Sequence, residues 1–409
     1  MVAIPQTVYR VDRSYAWNYG HAPTLPRTRR IPRAPGGRLF DRDVNSRLGI
    51  AAGPLLNSKW IARYARLGYD VLTYATVTSA FRPAYTLPNI RLVESREHAA
   101  VALRRPHGNG AVTLAVSLGM PSMEPDVWRK DVRRAKDTLT SGQLLVVSVA
   151  GTLPPGGDAE ALIADYARCA VWAAEAGADA IEVHLAVPDP FGEHAQMIFE
   201  NVPLAAQILY RVRTSVGQPV VAKVGMFRSP RLLHETATKL APWANGFVLV
   251  HGVLRRVVDE DGKAAFEGVG RDLADVVGAE TFAVCARQVE EMLAWRKAGA
   301  WDRVVLAVGG ITTTGRALHL LHEGADAALV ATAALVDPLF ATRLRTAASS
   351  EGAAAHSEGG SAPLPTNGAS RAARARSASP REGLRRQSRR SERPAAPRPK
   401  NRRSKHAVR

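Results

Sequence analysis

Only two cysteines, Cys169 and Cys285, occur in 409 residues, which excludes a disulfide framework and a cysteine-built metal centre. Each falls alone within a helical pattern and suits a reducing compartment, so a cytoplasmic location without a metal site is expected. No apolar run reaches membrane-spanning length, and the opening MVAIPQTVYRVDRS lacks the apolar stretch of a secretion signal; a protein free in solution is expected. No G-x-G-x-x-G fingerprint follows a strand, so no nicotinamide-binding unit is expected within this chain. Acidic residues are outnumbered, giving a net charge of +18, but the excess is uneven. Residues 347–409 hold 15 Lys and Arg against 4 Asp and Glu, a balance of +11 that leaves +7 for the preceding 346 residues.

That tail also lacks aromatics and is dominated by Ala, Ser, Gly, Pro and Arg. It cannot bury enough apolar surface to order itself and is expected to be disordered. Weak attachment to nucleic acid or an acidic partner is one reading of its charge; a solubilising tail is the other. Without aromatics to stack on bases, specific readout is not expected.

What the chain does have is a regular alternation, clearest from Val304 to Ala334. Val304–Val308 is an apolar run suited to a strand covered on both faces. Gly309 and Gly310 follow, where side chains would block close approach to bare backbone. Thr312–Thr314 offer helix-capping hydroxyls, Ala317, Leu318 and Leu321 form an apolar stripe, and Gly324 ends it. Ala327–Ala331 reads as the next strand, with Thr332 at its end. Two neighbouring strand ends with bare amides suit a phosphate group, although two ordinary tight turns would read the same way.

The same alternation runs back through the chain. Strands are expected at Leu48–Ala52, Asp70–Thr76, Leu144–Val149, Asp179–Leu185, Pro219–Gly225 and Asn245–His251. Helices are expected at Asn57–Leu67, Asp126–Leu139, Ala159–Ala176, Val202–Val216, Pro230–Leu240, Thr281–Ala298 and Pro338–Leu344. Eight strands interleaved with helices over residues 45–346 predict an α/β (β/α)8 barrel, with a doubly wound open sheet as the alternative. Residues 1–44, rich in Arg and Pro, are expected to form an irregular arm over one end. Ser79–Gly110 is too long for a simple connection and is a candidate lid; Val112–Leu118 is extended, and Leu254–Gly270 reads as a polar hairpin or loop.

LGIAAG (Leu48–Gly53), LTYATVTS (Leu72–Ser79), SVAG (Ser148–Gly151), EVHLAVPDP (Glu182–Pro190), VVAKV (Val220–Val224), AVGGI (Ala307–Ile311) and VATAAL (Val330–Leu335) stand in the order and spacing of dihydroorotate dehydrogenases. The resemblance covers residues 45–346 and implies an FMN enzyme with the flavin over the carboxyl ends of the strands. It implies that Ala52 and Gly53 lie beneath the flavin ring, Thr76 beside it, and Lys223 on its polar edge. Gly309, Gly310, Ala331 and Thr332 match the phosphate clamp, and Gly252 would border the ribityl chain. A lysine on an otherwise apolar strand end independently asks for an anion or carbonyl partner, though an ion pair inside the barrel would also answer it.

The substrate half departs from the family. Where the family has asparagine, a catalytic serine or cysteine, proline and asparagine, this chain has His184, Val187, Pro188 and Asp189. Val187 carries no proton to exchange. His251 and Val116 stand at two further substrate asparagines, and Tyr74 and Leu56 at loop lysines. His184, His251 and Asp189 are therefore the candidate catalytic groups, a histidine replacing the missing base and a carboxylate orienting it; both histidines serving only as hydrogen-bond partners is the plain alternative. Tyr74, Tyr85 and His98 lie in or near the excursion and could reach the site, but nothing in their spacing identifies a role. Asp179 and Glu182, three apart on a strand, point to opposite faces and are not expected to share acid–base work.

The expected activity is FMN-dependent hydride transfer at a C–C bond of a small cyclic or unsaturated substrate other than standard dihydroorotate, with an external electron partner; a homodimer is one candidate assembly. Alternatives are a non-catalytic flavin scaffold, a dihydroorotate dehydrogenase of pyrimidine biosynthesis with rearranged contacts, and a flavin enzyme acting on RNA.

Overall fold

The structure, a computed structural model, describes residues 7–358 apart from positions 29, 97–98, 104–111, 194, 269 and 300. His98 and the tail beyond residue 358 lie outside the described residues. In chain order the elements are α1 (Tyr15–Gly20), β1 (Gly37–Leu39), β2 (Arg42–Val44), β3 (Leu48–Ile50), α2 (Ser58–Ala65), β4 (Val71–Val77), β5 (Ile90–Ser95), β6 (Ala100–Ala102), β7 (Thr113–Val116), α3 (Pro125–Asp137), β8 (Leu144–Val149), α4 (Ala159–Glu175) and β9 (Ala180–His184). They continue with α5 (Val202–Ser215), β10 (Val220–Lys223), α6 (Pro230–Leu240), β11 (Gly246–Leu249), β12 (Val253–Val258), β13 (Leu273–Gly278), α7 (Phe282–Lys297), β14 (Val304–Val308), α8 (Thr314–His322), β15 (Ala327–Val330), α9 (Thr332–Val336) and α10 (Phe340–Glu358).

Strands β3, β4, β8, β9, β10, β11, β14 and β15 close into an eight-stranded barrel, each pair parallel. This is the expected (β/α)8 architecture; the open-sheet alternative falls. Alternation along each strand sorts its residues. Leu72, Leu145, Val147, Ile181, Val183 and Phe247 pack outward into the main core beneath the helices, while Val71, Leu144, Val146, Val221, Leu306 and Leu329 fill the interior. A register shift between Tyr74 and Val77 in β4 interrupts that alternation and lets Thr76 meet the interior Ser148, hydroxyl to hydroxyl at 2.9 Å.

The arm is more ordered than its sequence suggests, and it serves both ends. Ser14 caps α1 by accepting from the Trp17 N–H at 3.2 Å, and Tyr15 reaches the carboxyl-end cavity. β1 and β2 form a hairpin whose two turn residues, Phe40 and Asp41, have φ of 52° and 63°, the geometry of a tight type I′ turn. Phe-Asp is an uncommon pair for that turn, so the usual Asn-Gly signal is missing. Leu39 and Val44 join the interior cluster with Val71 and Leu144, closing the amino end.

The long excursion is also structured. β5, β6 and β7 join β12 and β13 in a second, five-stranded closed sheet with its own apolar core of Val93, Ala115, Val257, Phe266 and Val276. Thus Leu254–Gly270 is not merely a polar hairpin: its first five residues belong to β12, and the unpredicted β13 returns beside it. Buried Arg271 ties this cap together, donating to Ser117 Oγ and to the carbonyls of Thr86, Pro88, Ser117 and Glu267. The last helix overruns its expected end at Leu344 and continues to Glu358. Its alanine-rich course through Ala347, Ala348 and Ala353–Ala355 is composed of the best helix former, which periodicity of apolar residues does not register. No helix among the described residues is long and apolar enough to cross a membrane.

Candidate active site

The barrel interior changes character towards the carboxyl ends of its strands. Above the apolar layer stand Thr76, Ser148, Glu182, His184 and Lys223, brought together because β9 and β10 run in register, Lys223 opposite His184. A cavity of about 700 Å3 opens over them, between the barrel mouth and the cap sheet. That volume is in the range of small-molecule and cofactor sites. Ala52, Gly53, Thr76, His184, Val187, Lys223 and His251 line it from the barrel, and Val116, Ser117, Leu254 and Asp275 from the cap.

Lys223 is 1% exposed, and its nearest anion is Glu182, itself fully buried, with Nζ to Oε1 at 3.4 Å. The pair is misaligned: neither Glu182 oxygen has a hydrogen-bond partner among the described residues. A buried ammonium and carboxylate held this loosely leave donor capacity over, which water or a ligand normally takes up. The ion pair that was the plain alternative for Lys223 is present, and the residue also lines the cavity.

His184 lies beside Lys223 with Nδ1 3.4 Å from Thr76 Oγ1 and with Nε2 buried and unpartnered. Burial, then the neighbouring His251 and Lys223, hold its pKa well below the usual 6.5, so the ring is neutral at physiological pH. The His251 ring meets it edge-on, centroids 4.7 Å apart. His251 Nε2 in turn lies 3.3 Å from Asp275 Oδ2.

Asp189 does not join this group. Its Oδ1 accepts from Phe191 N–H at 2.9 Å and its Oδ2 from Asn201 Nδ2 at 2.8 Å, so the carboxylate pins the loop after β9. The carboxylate that meets a candidate histidine is Asp275, which the sequence reading missed because β13 carries no strong period-2 signal and went unassigned. Tyr74 is buried among the helices and donates to Asp131 Oδ2 at 2.8 Å, and Leu56 is in the core; neither lines the cavity. Tyr85 does line it, under the Arg271 guanidinium. Asp179 and Glu182 are separated as expected: Asp179 is at the amino end with Lys136 and Arg42.

Gly53 has φ of 127°, a region L side chains avoid, and a Cβ there would meet nothing within 4 Å, so open space lies over it. Gly309 and Gly310 are bare for another reason than the one expected. A Cβ on Gly310 would lie 2.4 Å from the Phe282 nitrogen, and one on Gly309 2.5 Å from Cys285 Sγ. The pair lets the start of α7 dock against the end of β14. Gly252 likewise makes room for β13, with Val277 Cγ1 3.1 Å from the position of its Cβ. The amides at the two strand ends are nonetheless available. Gly309, Gly310 and Ala331 lie outside helix and strand, and no described group accepts from their N–H; Thr332 opens α9, where the N–H has no helical partner. Arg316 stands beside them, donating to Gly310 O at 2.9 Å.

Both cysteines are buried and unpaired; burial raises the Cys285 thiol to about 11 and Cys169 higher still, so neither offers a thiolate.

A closed parallel barrel with its polar residues gathered at the carboxyl-end mouth is the arrangement in which this fold places its reactive sites. No family model matches the chain. The dihydroorotate dehydrogenase of Dictyostelium discoideum is 25% identical over 367 residues, spanning 83% of this chain and 97% of that protein. The chain is a distant homologue of dihydroorotate dehydrogenase over most of its length.

Proposed function

We propose that the chain is an FMN-dependent oxidoreductase acting at a C–C bond of a small cyclic or unsaturated substrate, and that dihydroorotate is not its ordinary substrate. The observation that carries this is Lys223, an ammonium buried at the floor of the cavity with no well-aligned acceptor among the described residues. The carbonyl edge of a flavin would supply one. The unpaired amides of Gly309, Gly310, Ala331 and Thr332 suit its phosphate, with Arg316 adding positive charge nearby, and the open space over Ala52 and Gly53 suits a flat ring. Gly252 is closed off by β13 and is left out of this set.

Bound FMN would supply the hydride chemistry. The chain's own groups would orient and exchange the proton. His184 is neutral and keeps one nitrogen without a partner, able to hydrogen-bond or to accept a proton. His251 stands edge-on to it at the cavity wall. Val187 and Val116 line the wall where amide and hydroxyl groups would be needed to hold an anion such as dihydroorotate, which argues for a substrate with a more apolar body. With no nicotinamide fingerprint in the sequence, the electron partner is external. A non-catalytic flavin scaffold is the second reading, favoured by the absence of a proton-bearing side chain at Val187.

The deciding measurement is the visible absorbance spectrum of the purified protein, with identification of any released flavin. Bound FMN is expected, without orotate formed from dihydroorotate. A colourless protein that FMN cannot reconstitute sinks the oxidoreductase reading, and efficient orotate formation sinks the substrate part of it.

A further inference from the structure

We infer that Asp275, on cap strand β13, is a positioning residue that fixes one tautomer of His251 and makes it the proton-exchanging histidine of the mouth. The inference rests on the oxidoreductase reading and adds a group that the barrel strands do not carry. Asp275 Oδ2 lies 3.3 Å from His251 Nε2, both residues line the cavity, and no other described residue bonds either side chain.

The placement of each partner is built into the fold. β13 is paired on both sides, with Leu254 of β12 and Val116 of β7 opposite Asp275, so the carboxylate cannot drift along the cavity wall. Gly252 brings that strand close: a Cβ there would sit 3.3 Å from Asp275 Cβ. His251 is held by its own backbone, whose N–H donates to Val224 O at 3.0 Å, and by the edge of the His184 ring.

An ionised carboxylate only accepts hydrogen bonds. Against Asp275, a neutral His251 therefore carries its proton on Nε2 and leaves a lone pair on Nδ1, which no described residue engages. The step this prepares is a proton transfer. A substrate C–H bond breaks, its proton goes to Nδ1, and the electron pair stays on the substrate, while Asp275 meets the positive charge formed on the ring. His184 is differently placed: its Nδ1 approaches a hydroxyl, Thr76 Oγ1, and it has no carboxylate beside it.

The test is ring 15N NMR of histidine-labelled full-length protein at mildly alkaline pH, where imidazoles are neutral, with the His251 signals assigned by their loss in His251→Asn. The expected result is a proton on Nε2 and a lone pair on Nδ1 in the unaltered protein. In Asp275→Val that preference should be lost, and in Asp275→Asn, which keeps the size should the valine variant not fold, both tautomers should appear. Turnover by the flavin-loaded enzyme should fall about 10–100-fold in either variant, chiefly in kcat. A proton found on Nδ1 of the unaltered protein, or a tautomer that does not respond to either variant, overturns the inference whatever the flavin result. A correct tautomer in a protein that binds no FMN instead leaves Asp275 holding the ring and removes the oxidoreductase reading beneath it.

Discussion

The two ends of this barrel treat buried polar groups in opposite ways. At the amino end, Asp70, Asp179, Asn245 and Asp326 each stand just before a strand and tie it to a neighbour. Asp179 Oδ2 accepts from Leu145 N–H at 2.8 Å, Asp326 Oδ2 from Val305 N–H at 2.8 Å, and Asn245 Oδ1 from Val220 N–H at 2.9 Å. Cations complete the set: Lys136 on Asp179, Arg296 on Asp326, and Arg345 on Asp70 together with Ser46. At the carboxyl end, both oxygens of Glu182 and Nε2 of His184 are buried without a hydrogen-bond partner among the described residues. Charged groups at the amino end thus use their hydrogen bonds to hold strands together, whereas those at the carboxyl end, where this fold places its sites, keep bonding capacity over.

That division can be broken most sharply at the histidines. His251→Ala should cost about 10²–10⁴-fold in turnover, the usual contribution of a proton-transferring side chain, and His184→Ala less, as the neutral ring that supports it, while flavin content and melting temperature stay near those of the parent. Unchanged turnover in both variants would return the histidines to a hydrogen-bonding role.

The converse experiment is at the amino end. Arg345→Met strips the cation from the buried Asp70, whose other partners are Ser46 Oγ at 2.5 Å and Gln143 Nε2 at 3.4 Å. Breaking a buried pair from one side should cost about 3–5 kcal/mol in urea unfolding, with flavin affinity unaffected. Loss of flavin in step with stability would mean that the two ends are not separable.

A smaller effect is expected at the loose pair between them. Lys223→Met should weaken FMN binding by about 1.5–3 kcal/mol, the worth of hydrogen bonds to a charged group, and also leave Glu182 buried alone. Adding Glu182→Leu should recover the stability but not the flavin, measured by flavin titration and urea unfolding of the two variants side by side. Recovery of both would reduce Lys223 to a structural counter-ion.

How much of this was legible beforehand divides along the same line. The barrel strands announce themselves as apolar runs because both of their faces are covered, and β8, β14 and α6 stand at the bounds their residues predict. The cap sheet did not: β5 and β12 mix buried and half-exposed positions without strict alternation, β13 alternates in burial but not in residue type (LADVVG), and most of their partners are remote in sequence. Hence Lys223, His184 and His251 could be picked out as polar residues at the ends of apolar strands, whereas Asp275 had no strand to stand on. Gly309, Gly310 and Gly252 were read as room for a ligand. Each makes room for protein, a distinction no sequence pattern carries, because a glycine is equally bare in both cases.

The slightest of the expected effects separates the two ends by pH. His184 is neutral in the folded protein, its pKa well below 6.5 because it is buried and lies beside His251 and Lys223. Above pH 6.5 the ring is uncharged in both folded and unfolded chains and adds no pH dependence. As pH falls below 6.5 the unfolded chain takes up a proton that the folded one refuses, so stability is lost progressively down to the folded-state pKa. The slope from this one group is at most about 1.4 kcal/mol per pH unit. Unfolding free energies of the parent and of His184→Leu, measured in parallel across that range, should therefore differ by a constant above pH 6.5 and by a changing amount below it, with the parent falling faster. Parallel curves throughout would mean that the ring takes up its proton in the folded state as readily as in the unfolded one, and the mouth of the barrel would then be wetter and more tolerant of charge than its unpartnered groups imply.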